Sequence, residues 1–434
     1  MNPFRWRLHW QILLALGLAT VCVVIVRALG IENTDFSRGL EASCRFGGDL
    51  FKNALKMIVV PLIISSIISG MMSLGADRNV GRIGFKVLIY YGITGLLAIL
   101  IGLFLVNTIR PGVVDESLSE LIKGQAQDAD EFIGKIEGRG PADIVGIVHR
   151  MFPPNIFQAA TDNGQLLGII TFSLFFGFFI SKLPERPRQF QFELWKSIQQ
   201  VMMLITNLII KFAPIGVFGL VTPIILRTGF DAILPLFKFF LTVLLGLSIH
   251  FFVTLGVLLK LVGRVQPFQH FRTMVPALLT AFSTASSAST LPVTMETVEK
   301  QAGVSPRTAS FTLPLGATVN MDGTALYECV VVIFIGQIYG FEMGFSTQLT
   351  ILVLALVTSV GVAGIPAASL VAITLILGVV GLPIEAVGLV WVTDRLLDMC
   401  RTSVNVFSDT CGAVIIAKSE GEKGIYGDEK VAPK

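Results

Sequence analysis

The chain reads as an all-α integral membrane protein in which full spans are joined by two interrupted helical segments arranged as an inverted repeat. Three observations predict this class: an apolar composition, a succession of uncharged runs of spanning length, and polar residues confined to a few places in the C-terminal half. Of 434 residues 53% are hydrophobic and 15% charged, and mean hydropathy is +0.75. Bilayer-spanning helices are the packing that hides so much apolar surface. The formal net charge of +3 gives no nucleic-acid footprint, because the basic residues cluster at the edges of apolar runs, where they act as topology signals. Five cysteines without paired or metal-like spacing argue against a disulfide framework or a zinc site.

With about 20 apolar residues needed per span, helices are expected near residues 11–29, 51–74, 83–109, 166–183, 192–226 and 233–263. The first lacks a small-residue cleavage site after it and reads as a retained helix rather than a signal peptide. Pro214 and Pro223 are expected to interrupt the fifth. Basic residues flank alternate ends of these runs: Arg5 and Arg7 before the first, Arg78, Arg82 and Lys86 after the second, Lys182, Arg186 and Arg188 after the fourth, and Lys260, Arg264 and Arg272 after the sixth. The positive-inside rule then places the N-terminus in the cytoplasm. The long connection 110–165 has an acidic excess, which suits the outer side, and no glycosylation sequon.

Beyond residue 263 the pattern changes. Two apolar segments carry small or polar residues at their middles, at 281–290 (AFSTASSAST) and 358–367 (TSVGVAGIPA). Each flank is too short for a full span, so each segment is expected to enter the membrane, turn and leave on the same side, its tip buried in protein or lining a cavity. Two kinked ordinary spans are the alternative. Each segment precedes a full helix with buried polar residues, and hairpin-helix repeated twice is the arrangement that puts a transporter's binding site near the membrane midplane. The C-terminal lysines 418, 423 and 430 then fall inside.

The last helix places Asp394, Asp398, Arg401, Asn405 and Asp409 at spacings of four, three, four and four residues, which is one helical face. Ionisable groups at membrane depth are costly unless paired or hydrated, so the stripe is a candidate functional site. A structural Asp398–Arg401 pair would explain two of the five residues. In the preceding helix, Asn320-Met321-Asp322-Gly323-Thr324 interrupts an apolar run. Asn and Asp oxygens are hard ligands for a small cation, and Gly323 would let the helix unwind so that carbonyls join them. A proton relay at Asp322 is the alternative to a Na⁺ site.

Thr318 to Tyr327 (TVNMDGTALY), Thr290-Leu291-Pro292, Gly364-Ile365-Pro366, Asp398 to Val406 (DMCRTSVNV) and Ala213 to Phe218 (APIGVF) together resemble the glutamate/aspartate transporter family of dicarboxylate/amino acid:cation symporters. The resemblance covers nearly the whole chain. It implies the glutamate-transporter-homologue fold, with eight transmembrane helices, two re-entrant helical hairpins and a homotrimer in which a transport domain moves past a fixed scaffold. The scaffold would comprise residues 1–75 (helices 1 and 2) and 111–226 (outer loop, helices 4 and 5); the transport domain would comprise 76–110 (helix 3) and 227–418 (helix 6 to helix 8); residues 419–434 would be a cytoplasmic tail. A multi-pass protein of the plasma membrane, in a prokaryote the inner membrane, is implied, with both termini cytoplasmic.

Carried over by motif, the resemblance implies that Arg401 binds the substrate's side-chain carboxylate with help from Thr324, that Asp398 binds its ammonium, and that Asn405 and Ser287 hold the α-carboxylate. Ser286, Thr402, Gly364 and Ile365 complete the implied substrate set. One sodium would lie among Asp409, Asn405, Asn320 and Gly316, a second between Thr318, Met321, Ser359, Val360 and Val362, and a third among Asp322, Asn320, Tyr91 and Thr94. At the two positions where relatives carry a second arginine stand Ala285 and Met399, so the balance of Asp398 is left open. Gly95 stands where a serine often helps the third sodium.

Glu328 lies four residues beyond Thr324, on the same face about one turn away. A carboxyl buried in an apolar span favours the neutral form that can cross with a substrate. In the family the matching residue is glutamate in relatives that co-transport a proton and counter-transport potassium, and glutamine in those coupled to sodium alone. Glu328 is therefore the expected proton carrier, and potassium counter-transport stays open.

Chemistry favours an acidic amino acid, aspartate or glutamate, as cargo: Asp398 suits an ammonium and would repel a diacid lacking one, while Arg401 suits an acidic side chain. An anion entering a negative-inside cell is opposed by about 2.3 kcal/mol per charge per 100 mV, so coupled cations must reverse the sign. C4-dicarboxylates or neutral amino acids on the same fold, or a polytopic channel, are the alternatives. An intramembrane protease has no matching motif around His250 or His270, so the chain is expected not to be an enzyme and to need no cofactor beyond its coupling ions.

Overall fold

A computed structural model of the chain describes residues 8–31, 34–74, 81–115, 149, 152–161, 166–228, 233–341, 343–361 and 368–427. Among these the regular structure is helical throughout, with no strand. The helices are α1 (Leu8–Ala28), α2 (Asp35–Leu74), α3 (Gly81–Ile109), α4 (Ile156–Thr161), α5 (Leu166–Ile180), α6 (Glu185–Lys211), α7 (Ala213–Thr228), α8 (Ile233–Ser248) and α9 (Leu255–Leu261), followed by α10 (Pro267–Thr284), α11 (Ser287–Lys300), α12 (Pro306–Val319), α13 (Asp322–Ile338), α14 (Phe345–Gly361), α15 (Ala368–Val380) and α16 (Trp391–Ser419). Three stretches of the described residues are long and apolar enough to cross a membrane: Arg82–Ile109, Leu234–Leu261 and Pro306–Ile338.

Several boundaries differ from those read off hydropathy. The second helix begins at Asp35, sixteen residues before the expected Phe51, because its first turns are polar. Thr34 Oγ1 accepts from Ser37 N at 3.4 Å, which caps the helix, and an Arg45–Glu41 pair at 3.4 Å follows one turn apart. Of the two prolines expected to break the fifth span, only Pro214 marks a break. The chain stops at Lys211 and restarts at Ala213, so Pro214 falls in a first turn where its missing N–H costs nothing. Pro223 stays inside α7, beside a Thr222 hydroxyl that turns back onto the Phe218 carbonyl at 2.7 Å. The sixth span is continuous but contains a π-helical turn, Ile249–Thr254, between α8 and α9.

Packing sorts the helices into two groups. In one, α2 lies against α5, α6 and α7, and α7 also packs on α1. In the other, α16 is the hub, touching α8, α10, α11, α12 and α13, while α3 lies along α13. Phe51 of α2 meets Trp391 at the head of α16 edge-on at 4.8 Å. All sixteen residues of α13 from Asp322 to Gly336 and Ile338 are buried, so this helix forms the centre of the second group.

Each interrupted segment is flanked by two described helices, α10 and α11 for the first, α14 and α15 for the second. α10 ends at Thr284, Ala285 adopts a left-handed conformation (φ 49°, ψ 40°), and Ser286 starts α11 with its hydroxyl accepting from Ser289 N at 3.2 Å. The two helices pack on each other and both rest on α16. α14 and α15 also pack together; the residues joining them, 362–367, lie outside the described chain.

Candidate functional site

The site is built where the break between α12 and α13 faces the middle of α16. Helical geometry is lost at Asn320 (φ −98°, ψ 85°) and Met321 (φ −114°, ψ 54°), which frees backbone groups and turns both side chains toward α16. Gly323 was expected to supply this break; instead it lies inside α13. Its role is close approach: a Cβ there would sit 2.9 Å from the Arg401 carbonyl oxygen and 3.1 Å from Arg401 Cα. Its N–H donates to Asn405 Oδ1 at 2.8 Å, locking α13 onto α16.

On this frame the hard oxygens converge. Asn320 Nδ2 donates to Asp409 Oδ1 at 2.9 Å and to Ser408 Oγ at 3.0 Å. Gly316 packs directly under the Asp409 carboxylate and the Tyr91 hydroxyl. Asn405 Nδ2 reaches Thr324 Oγ1 and Met321 Sδ, both at 3.2 Å. Asp409, Asn405, Asn320 and Gly316, four residues of one expected cation set, therefore stand together at the α12–α13–α16 junction. The third expected set is also assembled: Thr94 Oγ1 of α3 lies 3.2 Å from Asp322 Oδ1 and 3.4 Å from Asn320 Oδ1. Tyr91 is nearby, its hydroxyl donating to the Thr312 carbonyl at 2.8 Å. Gly95 faces the same carboxylate, since a Cβ there would lie 3.5 Å from Asp322 Oδ1. Both clusters are buried and gather the hard oxygen donors that suit a small cation.

The second expected set is less complete. Thr318 Oγ1 bonds its own helix at the Leu315 carbonyl, 3.0 Å, and Ser359 Oγ bonds the Leu356 carbonyl at 2.9 Å. α12 and α14 do pack together, but Val362 and the side chain of Val360 lie outside the described residues. The same holds for Gly364 and Ile365 of the expected substrate set.

Among the remaining substrate residues, Arg401 is 0% exposed. Its Nη1 and Nη2 both donate to Asp394 Oδ1 at 3.1 Å, and Nη2 also donates to Asp398 Oδ1 at 3.0 Å. The guanidinium carbon lies over the Tyr327 ring, 3.8 Å from its centroid, a cation–π contact. Its Nε has no partner, so the fork retains a donor for a further acceptor. Thr402 Oγ1 donates to the Asp398 carbonyl at 2.8 Å. Ser286 and Ser287 are buried at the α10–α11 turn, and α11 packs on α16. Glu328 is fully buried, its Oε2 2.7 Å from Thr358 Oγ1 of α14 and its Oε1 without a partner.

Four residues here were given no part in a binding set by the sequence alone. His250, aimed inward by the π-turn, places Nε2 3.0 Å from Asp322 Oδ2, and π-turns recur at functional sites. An ionisable residue in an apolar span was the available signal. Ser408 Oγ donates to the same Asp322 oxygen at 2.6 Å. Asp394 belonged to the stripe without a role, and the structure gives it two of Arg401's hydrogen bonds. Arg395 lies one residue off the stripe, with Nη1 3.5 Å from Asp398 Oδ2.

Polar side chains gathered at the α12–α13–α16 junction of an otherwise apolar helical fold are the arrangement that membrane transporters use. A model of the sodium:dicarboxylate symporter family matches residues 8–419, and the chain belongs to that family, whose members are transporters and not enzymes. The chain is 35% identical to a proton/sodium-glutamate symport protein of Geobacillus stearothermophilus over 424 residues, covering 98% of this chain and 96% of the relative. It is 33% identical to the proton/glutamate-aspartate symporter of Escherichia coli (strain K12), covering 97% and 94%. It is 33% identical to the human excitatory amino acid transporter 3, covering 96% and 88%.

Proposed function

We propose that this protein is a symporter of acidic amino acids, aspartate or glutamate, driven by Na⁺ and H⁺. The observation that carries the reading is the buried Arg401, held over Tyr327 with an unpartnered Nε and flanked by Asp398. A fixed cation beside a carboxylate matches a substrate with an acidic side chain and an ammonium. Hard-oxygen clusters at Asp409–Asn320 and Asp322–Thr94 lie about two helical turns along α16 from Arg401 and suit Na⁺. The names of the relatives point the same way, pairing glutamate with protons and sodium.

Proton coupling rests on Glu328. Thr358 has one hydroxyl proton but three acceptors within reach, the Ala355 carbonyl at 3.2 Å and two nearer, the Leu354 carbonyl at 2.8 Å and Glu328 Oε2 at 2.7 Å. Both contacts are met together only when Glu328 itself carries a proton and donates it to Thr358. Glu328 is thus the proton carrier, linking α13 to the α14–α15 segment.

The two packing groups correspond to a scaffold of α1, α2, α5, α6 and α7 and a moving transport domain of α3 and α8 to α16, with α10–α11 and α14–α15 as re-entrant hairpins. Alternating access is then an elevator movement of one group past the other within a homotrimer, in a multi-pass protein with both termini cytoplasmic. Substitution of Arg401 tests the substrate assignment. Arg401→Cys should lose aspartate and glutamate uptake while keeping or gaining neutral amino acids, and near wild-type aspartate affinity in that variant overturns it.

A further inference from the structure

The substrate cluster holds a second arginine whose place in the mechanism nothing above explains. Asp398 is 7% exposed, and its two oxygens face different cations: Oδ1 accepts from Arg401 Nη2 at 3.0 Å, and Oδ2 lies 3.5 Å from Arg395 Nη1. The Arg395 side chain is itself only 16% exposed, and its Nε is buried without a partner. Desolvating a guanidinium is expensive unless a nearby anion offsets it. The neighbouring anion within ion-pair distance is Asp398.

We infer that Arg395 is the counter-charge that holds Asp398 when a substrate carboxylate takes Arg401, and that it thereby sets affinity for acidic substrates. The inference rests on the reading of Arg401 as the carboxylate receptor. Arg395, Arg401, Asp394 and Asp398 sum to zero charge. Arg401 already divides its nitrogens between two protein carboxylates, so an incoming carboxylate must compete with Asp398 for Nη2. Once released, Asp398 is left to meet the substrate's ammonium with one oxygen while Arg395 holds its far oxygen, so the cluster stays neutral toward a substrate of net charge −1. Removal of Arg395 leaves the cluster at −1, and an anionic substrate then enters against a like charge. One unit charge at about 7 Å and an effective dielectric near 20 alters affinity by up to roughly fiftyfold, and solvent reaching the partly exposed Arg395 side chain brings this toward tenfold. The arrangement also answers how Asp398 is balanced when positions 285 and 399 carry Ala and Met: the arginine stands one turn before position 399 on the same helix face.

Three substitutions separate charge from shape. The purified, reconstituted protein is compared as wild type, Arg395→Lys, Arg395→Gln and Arg395→Glu, with KM for labelled aspartate, the Na⁺ concentration for half-maximal uptake and thermal unfolding measured for each. The expected order is set by charge: KM within threefold of wild type for Lys, roughly tenfold higher for Gln and higher again for Glu, with half-maximal Na⁺ moved less than twofold in Lys and Gln. A merely structural role would make the three losses alike, because all three truncate or reshape the guanidinium. An unchanged KM in Arg395→Gln, or a tenfold loss in Arg395→Lys, overturns the inference even if the other variants fail to fold. Wild-type vesicles that take up no acidic amino acid would instead overturn the reading of Arg401 on which it rests, and the inference with it.

Discussion

Replacing Gly316 with alanine puts one methyl group into the tightest point of the junction. That Cβ would lie 2.6 Å from Asp409 Cγ and 2.7 Å from the Tyr91 hydroxyl oxygen, and closer still to Asp409 Oδ1, where ordinary contact begins at 3.4 Å. The backbone of α12 is fixed by its hydrogen bonds, among them Asn320 N to the Gly316 carbonyl at 2.9 Å, so the side chains must give way. Asp409 has to retreat by roughly 1 Å, which breaks the 2.9 Å bond from Asn320 Nδ2. Overpacking of this kind costs about 1–3 kcal/mol, and a lost buried bond to a charged group about 1.5–3 kcal/mol. Since a shifted carboxylate no longer meets the cation, and about 1.4 kcal/mol is tenfold in affinity, half-maximal Na⁺ should rise at least tenfold. The assay is a Na⁺ titration of aspartate uptake into proteoliposomes, with Gly92→Ala as control, because a Cβ at Gly92 meets nothing within 4 Å. A Gly316→Ala protein whose Na⁺ dependence stays within twofold of wild type would refute the placement of a cation beside Asp409.

Asp322→Asn and Asp409→Asn should each raise the Na⁺ requirement, since each removes a hard anionic ligand from a dry site; unchanged Na⁺ dependence in both would point to a proton-only symporter. Uptake by the wild type should slow as the external pH becomes alkaline, whereas Glu328→Gln should lose that dependence and still exchange substrate; identical flat profiles would make Glu328 structural. At the start of α12, Glu422 accepts from Ser305 N at 2.9 Å, Ser305 Oγ at 2.7 Å and Thr308 Oγ1 at 2.5 Å, capping the helix. Glu422→Ala should therefore lower stability by about 1–3 kcal/mol in thermal unfolding, whereas Glu296→Ala, which removes an exposed one-turn pair with Lys300, should leave unfolding unchanged.

The stripe on α16 was legible because five polar residues at helical spacing inside an apolar run have no reading but a shared face. Asn320 to Thr324 stood out for the same reason, and the partners expected for Thr94, Asp322 and Asn320 are those found within 3.4 Å. What escaped depends on groups that meet only in three dimensions. His250 reaches Asp322 across 72 positions of chain and through a π-turn that shifts the helix register, and hydropathy patterns carry neither. Arg395 sits one residue off the stripe, so helical spacing gave it no part in the shared face, yet its long side chain reaches Asp398. Gly323 was read for flexibility, while the surrounding contacts show that its missing side chain is what lets α13 touch α16. The polar start of α2 was invisible to a search for apolar runs, since a capped, ion-paired helix needs none.

Uptake of labelled aspartate into proteoliposomes, with Na⁺, H⁺ and membrane-potential gradients imposed one at a time, tests the central claim most directly. Concentrative, saturable accumulation that requires an inward Na⁺ gradient, rises further with an inward H⁺ gradient and is abolished in Arg401→Cys is the predicted result. Accumulation that ignores Na⁺, or flux that never saturates and never exceeds equilibrium, would contradict a sodium-coupled carrier of acidic amino acids.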